Sequence, residues 1–94
     1  MKKKKVLLVE DYLVENGYGI SFKGFDYLSY ILNNYKSISN YNITSIYNEI
    51  ATKYNTTYTR VERNIRYLIN LKNKNSCKKE IANLIYDFNK KKGE

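Results

Sequence analysis

Apolar residues recur along this chain at three- and four-residue steps, the spacing that stacks side chains on one side of an α-helix. Five segments carry the pattern. Residues 6–16 hold Leu7, Leu8, Tyr12 and Leu13, and Gly17 supplies a C-terminal stop. After Gly24, the residues Phe25, Leu28, Ile31, Leu32 and Tyr35 follow the same spacing. The polar run "KSISNYN", residues 36–42, predicts a connector. Thr44 is of a type that caps a third helix holding Ile46, Tyr47, Ile50, Ala51 and Tyr54. Asn55 suits a left-handed turn position. Thr56 and Thr57 are both good N-caps for a fourth helix, expected at about 57–72 and running towards Lys74. "NKNS" breaks it, and a fifth helix carries Ile81, Ala82, Leu84, Ile85 and Phe88. With no proline and four glycines, the expectation is an all-α bundle with few tight turns.

The fourth segment has two distinct sides. At about 100° per residue, Tyr58, Val61, Ile65, Leu68 and Ile69 share one arc, which predicts the buried stripe. Thr59, Arg63, Arg66, Tyr67 and Asn70 lie opposite, with Arg60 and Glu62 on the flanks. Arg60, Arg63 and Arg66 stand at three-residue steps beside one acid, Glu62. They gather in the first two turns, directly after a short turn from another short helix. That is where a helix-turn-helix places the side chains that read bases. Ala51 lies near the turn, where two helix backbones approach and a larger residue would push them apart. Glu62 also has plain structural partners: Thr59 for an S/T-x-x-E capping box, and Arg66 for an i,i+4 ion pair.

Charge sharpens this picture. The net charge is +8, unevenly spread. Residues 6–52 carry two lysines against five acids, whereas residues 53–79 carry eight basic residues against Glu62 alone. Such polarisation points to nucleic acid or another anionic surface. The lysines at 2–5 and 90–92 are expected to be solvated, disordered basic tails at 1–5 and 90–94 of a single domain spanning 1–94. "VLLVED" imitates the first strand and acidic pocket of a phosphoacceptor receiver domain. That domain is longer than this chain, and nothing after residue 16 supplies its alternating strands and helices.

Other function classes find little support. There is no histidine, which removes the usual general base and metal ligand. One cysteine, Cys77, makes no zinc site with scattered carboxylates and favours a reducing, cytoplasmic setting. No glycine-rich phosphate loop, membrane span or signal peptide is visible. The eleven tyrosines mostly follow core spacing. No catalytic residue, metal, cofactor or small-molecule substrate is therefore expected.

Residues 43–69, "ITSIYNEIATKYNTTYTRVERNIRYLI", resemble the helix-turn-helix of the C-terminal effector domain of the master sporulation response regulator of endospore-forming Firmicutes. "NTT", "RVER" and "IR" at their spacings carry the likeness. "ENGYGISFKGFDYLSYIL" resembles that domain's first two helices, and "CKKEIANLIYDF" its last. The resemblance implies a compact domain of about six helices that reads short DNA boxes similar to TGTCGAA, often as tandem copies. It implies base contacts by Arg60, Glu62 and Arg63, with Thr56, Thr57 and Arg66 beside phosphates. Thr59 is added to the base-reading set, and Tyr67 and Lys53 to the backbone set.

The expected partner is double-stranded DNA, with no membrane partner. A homodimer is a further expectation, since Ile81, Leu84, Ile85 and Phe88 could face a twin as readily as the core. The segment between the fourth and fifth helices is shorter than in that family, and no receiver is expected in front of the domain. A stand-alone operator binder or a plasmid or phage accessory protein is expected from this. The alternatives are a decoy or antagonist that pairs with a full-length regulator, and an architectural DNA binder with little base readout.

Overall fold

A computed structural model describes residues 8–37, 42–72 and 76–93. Among these residues the fold is all-helical: α1 (Val9–Glu15), α2 (Lys23–Asn34), α3 (Ile43–Lys53), α4 (Tyr58–Lys72) and α5 (Cys77–Lys92). One core unites them, built from Tyr12, Leu13, Phe25, Leu28, Ile31, Ile46, Ile50, Val61, Ile65, Ile69, Ile81 and Ile85 with their neighbours. α2 and α4 form the most extensive helix–helix contact, followed by α3 and α4.

Gly24 is the reason α2 and α4 come so close. A Cβ there would lie 2.5 Å from the main-chain oxygen of Asn64 and 3.1 Å from Leu68 Cβ. The residue is thus inside the first turn of α2 and holds the seam with α4. From the sequence it reads only as a helix start.

Two helices end by the same device. Gly17 has φ 92° and Asn55 has φ 54°. The Tyr18 N–H donates to Leu13 O (3.0 Å) and the Gly17 N–H to Val14 O (3.0 Å). After α3, Thr56 N–H donates to Ala51 O (2.8 Å) and Asn55 N–H to Thr52 O (3.3 Å). Each is the paired closure of a left-handed C-terminal cap, which satisfies carbonyls the helix leaves free.

Several boundaries differ from the sequence expectation. Asn42, not Thr44, caps α3: its Oδ1 accepts from the Thr44 N–H at 2.8 Å, because Asn42 is extended and Thr44 already lies in the first turn. Leu8 caps α1 from an exposed position while Val9 takes the core site; Leu7 lies outside the described residues. Tyr35 is extended and ends α2, and Tyr54 ends α3 with its ring edge-on to Tyr27 at 5.2 Å. Both tyrosines match helical spacing, yet each is used to turn the chain. Lys90, Lys91 and Lys92 form the last turn of α5, where cations suit the helix dipole, and not a disordered tail. The expected tail at 1–5 and residues 73–75 of "NKNS" lie outside the described residues. Ile81, Leu84, Ile85 and Phe88 are all buried in this chain's own core, so that side of α5 is not free for a twin.

Tyrosines tie the acidic elements to the rest. The Tyr12 hydroxyl donates to Asp87 Oδ2 (2.6 Å) and the Tyr18 hydroxyl to Glu80 Oε2 (2.7 Å), fastening α1 and its exit to α5. Burial, then the facing carboxylate, pushes both phenols well above their usual pKa. Glu49 of α3 accepts from Tyr30 and, at 2.5 Å, from Tyr35, which hold its carboxyl below the usual range and link α3 to α2.

Candidate nucleic-acid interface

The turn between α3 and α4 comprises the four residues 54–57. Thr57 starts α4: its Oγ1 accepts from the Arg60 N–H (3.2 Å) and its carbonyl from the Val61 N–H (3.0 Å). The Thr57 hydroxyl still has its own proton to donate. Thr59 lies within the helix and is exposed, so the Thr59–Glu62 capping box does not form. The reason is register: Thr57 already occupies the capping position, and Glu62 is engaged elsewhere.

The inward side of α4 is as its spacing predicts. Val61, Ile65, Leu68 and Ile69 are buried, and Tyr58 is half-buried against Tyr47 with ring centroids 5.8 Å apart. The outward side exposes Thr59, Arg60, Arg63, Arg66, Tyr67 and Asn70. Neither Arg60 nor Arg63 has an ion-pair partner among the described residues. Arg66 does: its Nη1 lies 2.8 Å from Glu62 Oε2. Tyr67 is 54% exposed and meets Phe22 edge-on at 5.8 Å. Lys53 is exposed in the last turn of α3, where it also suits the helix dipole.

The structure does not bring all of the expected base-reading residues together. Arg60 and Glu62 stand on opposite flanks, roughly 160° apart by helical rotation. Arg60 lines a cleft of about 330 Å³ with Lys23, Tyr54, Asn55, Thr56 and Asn64. Glu62 faces the other way, towards α3 and the start of α5. Burial raises the Cys77 thiol and the Tyr47 hydroxyl, and the nearby Glu62 charge adds to both. Arg63 lies between the flanks at the centre of the exposed face. Lys23 is the cleft residue that sequence reasoning missed. It lies in the acidic half of the chain, and only its place beside Gly24, the point where α2 meets α4, could have signalled it.

Among the described residues no helix is long and apolar enough to cross a membrane. No curated protein and no solved structure matches the chain significantly. The protein-family comparison does: residues 9–94 match the family described as "Sporulation initiation factor Spo0A C terminal". With almost the whole chain covered, and with an exposed arginine face on an all-helical fold, the chain belongs to this family of DNA-binding effector domains of a sporulation regulator, which is not a family of enzymes.

Proposed function

We propose that the chain binds double-stranded DNA sequence-specifically, as a helix-turn-helix made of α3, residues 54–57 and α4, with α4 in the major groove. The observation that carries this is the water-facing side of α4, where Arg60 and Arg63 are exposed without ion-pair partners among the described residues, directly after the turn. Unpaired guanidinium groups repel one another and are stabilised by an anion. They also match guanine O6 and N7 with paired donors. Arg63, at the centre of the face, is the leading base reader, with Arg60 and Thr59 beside it. Glu62 reaches a base only by giving up Arg66, and cytosine N4 is the donor it would accept from. Thr56, Thr57, Lys53, Arg66 and Tyr67 flank this centre and suit the sugar–phosphate backbone. Binding to paired or tandem boxes, with regulation of transcription or an accessory role in plasmid or phage DNA, is the setting such a reader fits.

The test is fluorescence polarisation on a TGTCGAA-like duplex and on a scrambled one across a salt series. The expected result is preference for the box and a log–log salt slope of about −0.9 per phosphate contact. Equal affinity for both duplexes supports an architectural binder instead. A second reading, a protein-binding antagonist of a full-length regulator, is favoured by Tyr67 and Leu71, one turn apart on α4 and 54% and 56% exposed, with Phe22 edge-on to Tyr67. Absence of binding to either duplex at low salt would favour it.

A further inference from the structure

Residues 6–52 hold only two lysines, and folding carries one of them, Lys23, beside Arg60 of α4. Lys23, at the start of α2, and Arg60, in the first turn of α4, line the same cleft with Asn55, Thr56 and Asn64. Among the described residues no carboxylate lines this cleft and neither cation has an ion-pair partner, although Asp26 and Glu10 are near enough to act on the lining Tyr54 hydroxyl. Two like charges from separate elements are thus held around one polar hollow of about 330 Å³, with no carboxylate among the described residues that line it. Their separation is not left to flexible side chains alone. Lys23 directly precedes Gly24, whose backbone is packed so close to Asn64 that a Cβ would fall 2.5 Å from that residue's carbonyl oxygen. The α2–α4 seam therefore sets where the Lys23 stem starts relative to α4.

We infer that this cleft receives one backbone phosphodiester of DNA, with Lys23 as its principal cation. The inference rests on the DNA-binding function proposed above. The non-bridging oxygens of a phosphodiester are acceptors only, and the cleft offers the Lys23 ammonium, with the Thr56 hydroxyl and the Asn55 amide at its edge; Arg60 adds its charge to the cleft while its guanidinium is left to a base. Such a contact carries no base information. It fixes how deep and at what angle α4 enters the groove, and so which base edges Arg63 can reach.

The experiment compares Lys23→Gln, Lys23→Arg and Lys36→Gln with the unaltered chain, on the TGTCGAA-like and scrambled duplexes over a salt series. Lys23→Gln is expected to weaken both duplexes by the same factor, roughly three- to tenfold, and to reduce the salt slope by about 0.9. Lys23→Arg keeps the charge and most of the affinity. Lys36, just beyond the far end of α2, is the remote control and its substitution changes neither quantity. Folding does not confound the result, because a cation at the positive end of α2 is unfavourable and its removal leaves the unfolding midpoint unchanged or raised. An unchanged slope for Lys23→Gln, or a loss confined to one duplex, overturns the phosphate assignment while DNA binding stands. Failure of the unaltered chain to bind either duplex at low salt overturns both together.

Discussion

The two sides of α4 obey different physics. Inward, Val61, Ile65, Leu68 and Ile69 are buried against α2, α3 and α5, and at Gly24 the backbones themselves nearly touch. Nothing there can be enlarged, and little can be removed. Outward, Arg60, Arg63 and Tyr67 project into water, and the Glu62–Arg66 ion pair on this helix is partly exposed. Little folding energy resides on that side, because exposed charges are screened and their side chains keep their entropy. One helix thus separates stability from recognition. Substitutions inside should change the unfolding midpoint in proportion to packing lost, and those outside should change DNA binding at constant stability.

The largest effect is expected at Ile65, which is fully buried at the middle of the stripe. Ile65→Ala removes three carbons and leaves a cavity, a loss of about 2–5 kcal/mol. Against a total of about 5–15 kcal/mol for a domain this small, urea unfolding should show a much lower midpoint at unchanged slope. An Ile65→Ala midpoint close to the unaltered one would mean that α4 is not packed inward as described. Gly24→Ala comes next. The added methyl meets a main-chain oxygen, which cannot rotate away as a side chain can, so α2 and α4 must shift apart at a cost of about 1–3 kcal/mol. Alanine otherwise favours a helix over glycine by about 1 kcal/mol. A stabilised Gly24→Ala chain would therefore refute the close approach.

On the outward side, Arg63→Ala should leave the free energy of unfolding, measured in urea, within about 0.5 kcal/mol of that of the unaltered chain. It should cost about 1–3 kcal/mol of discrimination at one base pair, measured by competition between duplexes that differ there. A uniform loss on all sequences would move Arg63 from the bases to the phosphates.

How much of this was legible in the sequence follows from the same division. The stripe of Val61, Ile65, Leu68 and Ile69 could be read because burial imposes a 3.6-residue period. Asn55 could be read because few residues tolerate a left-handed turn. The caps were harder. Thr44, Thr56, Thr57 and Thr59 are all cap-forming types, and only the register of the helix selects Thr57 for α4, while Asn42 displaces Thr44 for α3. Gly24 reads from the sequence only as the residue before α2, and Lys23 carries no signal, since the demand for a missing Cβ comes from Asn64, forty positions on in the sequence. Spacing could not tell whether α5 faces its own core or a twin, because an apolar stripe fits either partner equally. The fold class and the outward arginines were thus local properties of the chain, whereas the cleft beside Arg60 exists only once α2 and α4 have met.

Glu62 stands on the boundary between the two sides, and it gives the smallest expected effect and the sharpest division. Its side chain is 29% exposed, it pairs with Arg66 at 2.8 Å, and its charge is felt at Cys77 and Tyr47. If Glu62 serves only this pair, Glu62→Gln lowers stability by about 0.2–0.5 kcal/mol, the range of an i,i+4 pair on a helix surface. It then also frees Arg66 for the DNA backbone and strengthens binding to every duplex alike. If the carboxylate instead accepts from a cytosine, the same substitution costs discrimination at one base pair, because glutamine brings donors as well as an acceptor. Binding competition on single-base variants of the box separates the outcomes. A uniform gain assigns Glu62 to the folded scaffold, whereas a loss at one position assigns it to the reading face.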